Sequence, residues 1–236
     1  MKYAKGTLGL LVAILVMGTS MNAFGFLGFG NSASWKEEVL LHDGQKIIVE
    51  RVHKLGSRPT LESRERQILD ETITFSIPGT HQKIIWTMSF RNDVPEPNGI
   101  NVVVLDIVNN VPYIGGYPAG CIAYNKWKRP NPPQILFKFE GGQWKRVALA
   151  DFPQQIRLAN VIVGGPPAEG LKSFYTVEQV NDENRDIHTP EYKTILREPV
   201  RGGNGIISCE ELVLYKGSWI MPNDPIARDI LDRRSK

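Results

Sequence analysis

Two runs of strict alternation, residues 72–77 and 83–90, flank the dipeptide Pro78-Gly79, and they constrain the fold more tightly than any other feature of the chain. Ile73, Phe75 and Ile77 share one side of the first run, and Ile84, Trp86, Met88 and Phe90 share one side of the second. Successive side chains of a strand point to opposite faces, so two such runs across a turn predict an antiparallel hairpin with one apolar face. The same pattern recurs at residues 37–42 and 45–54 around Asp43-Gly44, where a two-residue turn is expected, and at 134–139 and 143–149 around Gly141-Gly142. Residues 100–108 form an unbroken apolar run, as expected of a central strand buried on both faces. Residues 157–163 add a strand, and 206–215 with 218–221 add a final pair. The reading is a mainly β chain, a β-sandwich or barrel-like antiparallel sheet with short helical insertions.

The expected insertions are short helices within residues 60–70, 171–185 and 190–196, and a C-terminal helix that starts at Asp224-Pro225. Residues 111–133 are dense in Gly, Pro and aromatic residues, a composition that predicts an ordered surface excursion with at most one short strand at 121–124.

At the N-terminus, Lys2 and Lys5 precede the apolar run 8–17, the order of a secretory leader. A membrane-spanning helix needs about 20 predominantly apolar residues, which residues 8–29 supply only by tolerating Thr19, Ser20, Asn22 and several glycines. Cleavage is therefore favoured over retention. The expected organisation is a signal peptide or anchor over 1–23, a Gly/Phe-rich tether over 24–34 and a single β-rich domain over 35–236. The expected location is the periplasm, or the inner membrane with the domain outside the cytoplasm. No cysteine lies near the leader for lipid attachment, the first being Cys121. The chain carries 28 Lys and Arg against 25 Asp and Glu, so loss of the two leader lysines leaves it close to neutral. That balance argues against a nucleic-acid partner.

Cys121 and Cys209 are the two cysteines, and in an oxidising compartment they are expected to pair, the alternative being two separate buried thiols. His42, His53, His81 and His188 lack the spacing of zinc ligands, and residues 181–186 fail as a calcium loop because Ile187 and Lys193 stand where glycine and glutamate are required. No metal or cofactor is expected. The chain has no Gly-x-Ser-x-Gly elbow, and Cys209 is followed by Glu210 and Glu211, which would raise a thiol pKa.

The candidate binding residues are Tyr113, Tyr117, Tyr124, Lys126, Trp127, Lys128 and Arg129. Exposed aromatics beside cations can recognise sugars, peptides or anionic polymers, which points to a non-enzymatic envelope module with a protein or cell-wall partner. In the alternative reading of this segment, the aromatics pack onto the sheet and the charges are solvated. The alternative function is an exported hydrolase with acid and base drawn from scattered positions such as Asp106, Asp151, Glu178 or His188.

The stretch SWKEEVLLHDGQKIIVERVHKLG, with Trp35 and the Asp43-Gly44 turn, resembles the start of a family of uncharacterised exported proteins of proteobacteria. The resemblance covers the first third of the mature chain. It implies an exported address and brings no activity with it.

Overall fold

The computed structural model describes residues 31–59, 66–80, 82–202 and 205–234. The leader, the tether up to residue 30, His81 and residues 60–65 of the expected first helix lie outside the described residues. In chain order the strands are β1 (Ser32–Leu40), β2 (Lys46–Pro59), β3 (Arg66–Ser76), β4 (Lys83–Ser89), β5 (Ile100–Val108), β6 (Val111–Pro118), β7 (Ile135–Glu140), β8 (Gln143–Val147), β9 (Phe174–Tyr175), β10 (Val213–Tyr215) and β11 (Ser218–Ile220). The helices are α1 (Cys121–Lys126), α2 (Val177–Glu183) and α3 (Pro225–Arg234). None of the described helices is long and apolar enough to cross a membrane.

The chain is mainly β, as the alternation predicts. One sheet has the order β4-β3-β2-β1-β9, antiparallel except for β9 beside β1, and the second has the antiparallel order β5-β6-β7-β8. Val39, Val49, Ile73, Phe75, Ile84 and Trp86 from the first sheet meet Val102, Leu105, Ile107 and Ile114 from the second in one buried cluster. The two sheets thus pack their apolar faces together as a sandwich.

The hairpins lie where the turn residues put them, with one change of turn. At Asp43-Gly44 the loop has three residues: Leu41 pairs with Gln45, and the Gly44 N–H donates to the Leu41 carbonyl at 3.0 Å. Gly44 takes a φ of 86°, the left-handed position that closes such a three-residue loop. The Asp43 side chain accepts the Gln45 N–H at 2.9 Å, which favours this wider turn. Gly141 and Gly142 both have positive φ and form the two-residue turn between β7 and β8.

Other expectations are corrected as well, among them the final strand pair, whose first strand starts only at Val213 after a 3-10 turn at Gly205–Ser208. β1 begins at Ser32, inside the expected tether, and residues 66–70 extend β3 instead of forming a helix. Residues 111–118 are β6, an inner strand, and 121–126 form α1. The glycines there serve close packing, because a Cβ on Gly116 would stand 2.2 Å from the Asn101 carbonyl oxygen. Residues 157–163 form no strand apart from a single bridge at Leu158. Finally, β5 is buried on both faces yet lies at the edge of its sheet.

That edge is closed by Asn160, whose backbone N–H donates to the Val103 carbonyl at 3.2 Å and whose side chain pairs Leu105. The Asn160 amide accepts the Leu105 N–H at 3.0 Å and donates to the Leu105 carbonyl at 2.8 Å, as a neighbouring strand would. It also donates to Leu40 O on β1 at 3.0 Å, so it bridges the two sheets. Replacing Asn160 with Ala leaves these backbone groups unpaired. It is expected to lower stability by about 1–3 kcal/mol, read as a lower urea midpoint at unchanged slope.

Candidate functional site

The aromatic segment does not form an exposed surface. Tyr113, Tyr124 and Trp127 are buried, at 9%, 3% and 8% exposure, and Tyr117 is half-buried with its ring 4.3 Å from that of Tyr192. Lys126 is buried too: its Nζ donates to Arg91 O at 2.6 Å and Asn98 Oδ1 at 3.0 Å, and burial lowers its pKa. These five residues thus pack and clamp within the fold, which for the aromatics is the alternative reading in which they pack onto the sheet. Lys128 remains exposed, and Arg129 is half-buried.

Burial of the rings gives the segment a different use. The Arg129 guanidinium lies 5.0 Å from the centroid of Tyr124, and the guanidinium of Arg146, from β8, lies 5.3 Å from that of Trp127. Such stacking fixes the plane of a guanidinium while leaving its edge free to donate. Register explains why Arg146 arrives here: it stands opposite Phe137 in the β7–β8 hairpin, and Phe137 meets Trp127 edge to face at 6.1 Å. Trp127 is held in turn by its Nε1 donating to Asn98 O at 2.9 Å.

Arg146 lines a cleft of about 190 Å³ together with Pro130, Pro132, Gln134, Leu136 and Leu149. No acidic residue lines it, and Arg146 makes no ion pair among the described residues. Behind Leu149 lies a second unpaired cation. The Arg197 guanidinium donates to the carbonyls of Leu149, Phe152, Pro153 and Ile156 at 2.6–3.4 Å, with no carboxylate partner among the described residues. Burial, followed by repulsion from Arg157, lowers its pKa, yet it stays cationic at neutral pH. Arg197 does not line the cleft, which leaves Arg146 as the cation in its lining.

A second cluster of chemistry-bearing residues lies inside the first sheet. β1, β2 and β3 carry Glu37, Arg51 and Glu71 on the same inward side as the apolar core, all essentially without exposure. Arg51 donates from Nε to Glu71 Oε1 at 2.9 Å and from Nη1 to Glu37 Oε1 at 3.2 Å and the Ile162 carbonyl at 2.5 Å; its Nη2 also bonds Glu71. His53 Nε2 lies 3.2 Å from the same Glu71 oxygen, and Trp35 Nε1 donates to Glu37 Oε2 at 3.0 Å. Burial opposes the charge on Arg51, but the attraction of Glu71 and Glu37 exceeds it and raises the pKa. For Glu71, burial is likewise outweighed, by Arg51 and then His53, and its pKa is lowered.

Residues 159–165 cover this cluster as a strap, clamped by Arg51 and by Asn184, which donates to Val161 O at 2.7 Å and accepts from Val163 N at 3.0 Å. Gly165 lies so close that a Cβ there would stand 2.6 Å from the His53 ring. The cluster is fully partnered and sealed, so its work is to join strap and sheet. The sequence carried a signal for it: Glu37, Arg51 and Glu71 fall in phase with apolar neighbours Val39, Val49 and Ile73.

The scattered acid and base positions do not converge. Asp106 pairs with His42, Oδ1 to Nδ1 at 2.7 Å, and accepts the His42 N–H at 3.0 Å, which pins the first hairpin loop to β5. Asp151, Glu178 and His188 are exposed and, among the described residues, share no hydrogen bond or ion pair with Asp106 or each other. No group of three metal-ligating residues occurs among the described residues. Cys121 and Cys209, as expected, have their sulfurs at bonding distance, 2.02 Å, and join α1 to the segment before β10.

Two wider hollows, about 610 and 400 Å³, lie on the outer face of the first sheet. Charge there is mixed: Lys46 pairs with Glu38 at 3.2 Å and Lys54 with Asp70 at 3.8 Å. Ile48 and Ile85 stand exposed on this sheet. The smaller cleft at Arg146 has the more defined chemistry, because it combines a fixed, unpaired guanidinium with walls free of acid. Comparison with protein families, curated proteins and solved structures returned no match.

Proposed function

We propose that the protein is an exported, non-enzymatic module of the cell envelope that binds an anionic group of its partner at the Arg146 cleft. The observation that carries this reading is the Arg146 guanidinium, stacked on buried Trp127 and unpaired on a cleft with no acidic residue. A fixed cation without a counter-charge favours an anion brought by a ligand, since a charge-assisted hydrogen bond is about twice as strong as a neutral one. The charged leader followed by an apolar run supports the address, as does the resemblance to exported proteins.

The test is a titration of the purified protein with acetate and with inorganic phosphate, followed by tryptophan fluorescence. Saturable binding of at least one anion is expected, weakened about tenfold or more in Arg146→Gln. Equal response in both proteins would overturn the reading. Protein recovered from outside the cytoplasm is expected to have an intact mass lacking roughly the first 23 residues. Recovery only from the cytoplasm contradicts the address.

A further inference from the structure

We infer that the anion taken at the Arg146 cleft is the carboxylate of a ligand with a small apolar body, of the kind that ends a peptide in a free C-terminus. This rests on the anion-binding reading above and narrows it. Three observations select the class.

The first is the fate of the polar side chains around the cleft. Asn131 donates to Val200 O at 3.1 Å and accepts Val200 N–H at 2.7 Å, which fastens the 130–132 loop to the chain at residue 200. Gln134 does the same for the neighbouring segment, donating to Thr194 O at 2.9 Å and accepting Leu196 N–H at 3.1 Å. Both amides are engaged by backbone. The hydrogen-bonding capacity left for a ligand is concentrated in the Arg146 guanidinium, and a sugar would bring hydroxyls with too few partners.

The second is the lining. Pro130, Pro132, Leu136, Val147 and Leu149 supply the apolar half of a mixed lining, which suits methyl or methylene groups beside one charge. The third is stoichiometry and size. One guanidinium offers a planar fork that matches one carboxylate in a bidentate pair, whereas a phosphate dianion would bring a second negative charge that no further cation in the lining meets. A cleft of about 190 Å³ is about six waters' share of liquid volume, enough for one small residue and its terminal carboxylate.

The experiment uses the mature protein and four probes: N-acetyl-alanyl-alanine, its C-terminal amide, glucuronate and inorganic phosphate, each titrated calorimetrically. The free-acid dipeptide is expected to bind, with the amide about tenfold or more weaker. Arg146→Gln should lose binding of the free acid, and Arg146→Lys, which keeps the charge without the fork, should weaken it too. Arg146 is exposed, so neither change removes core packing. Amide binding equal to acid binding overturns the inference. So does glucuronate or phosphate binding as tightly as the dipeptide, although Arg146-dependent phosphate binding would leave the anion-binding reading standing. If no probe binds, both fall.

Discussion

Replacing Arg51 with Met is expected to lower the stability of the protein by about 3–5 kcal/mol, the cost typical of breaking a buried ion pair from one side. The guanidinium has no exposure and is held by Glu37, Glu71 and the Ile162 carbonyl, so its loss leaves two buried carboxylates without their shared cation. For a domain of this size the melting temperature should fall by roughly 10 °C. Calorimetry of Arg51→Met, Glu71→Gln and the double variant checks the cause. The double variant should be less destabilised than the two singles added together, because removing one carboxylate relieves part of the penalty. Strict additivity would show that the charges do not interact.

The same cluster sets a pH dependence. Glu71 has a folded pKa below its unfolded value of about 4.3. Its contribution to stability is therefore complete above that value and is lost as pH falls through the lower folded pKa. Acid unfolding of the native protein should steepen below about pH 4, and Glu71→Gln should flatten that limb of the stability profile.

The second large effect belongs to the disulfide. Cys121 and Cys209 close a loop across 88 positions, and the chain-entropy account gives such a link about 4–5 kcal/mol. Reduction, or the Cys121→Ser and Cys209→Ser pair, should lower the denaturant midpoint by a corresponding amount. Asn125 and Arg129 hold the neighbouring chain without the covalent link. Both donate to Glu210 O at 2.9 Å, and Asn125 Oδ1 accepts Leu212 N–H at 2.9 Å. The Leu212 amide should therefore exchange faster after reduction yet remain protected. A change below about 1 kcal/mol would mean that these contacts, and not loop closure, determine stability there.

The hairpins were legible because the period-2 pattern and the turn residues agree, most clearly at Pro78-Gly79 and Gly141-Gly142. β6 was misread because glycine marks both a flexible loop and a close backbone approach, and sequence alone cannot tell Gly116 against Asn101 from a turn glycine. β5 looked central because both its faces are buried; that an Asn160 side chain stands where a strand would pair is a long-range fact with no local trace.

The site was legible only in part. The sequence marked the segment around Trp127, but composition does not say whether an aromatic ring points inward, and here the rings of Tyr124 and Trp127 back the guanidinium groups. Arg146 carried no signal, because it reaches Trp127 through cross-strand register and not through spacing along the chain. Glu37, Arg51 and Glu71 were available from phase, since each falls on the apolar side of its own strand.

The most direct test of where this protein binds is the amide and indole NMR spectrum of the mature chain titrated with N-acetyl-alanyl-alanine. The largest shifts should fall on Arg146, Val147, Ala148 and the Trp127 indole N–H, with Ile48, Thr74 and Ile85 on the outer sheet face unmoved. Shifts confined to those outer-face residues, with the Trp127 indole unchanged, would contradict the account.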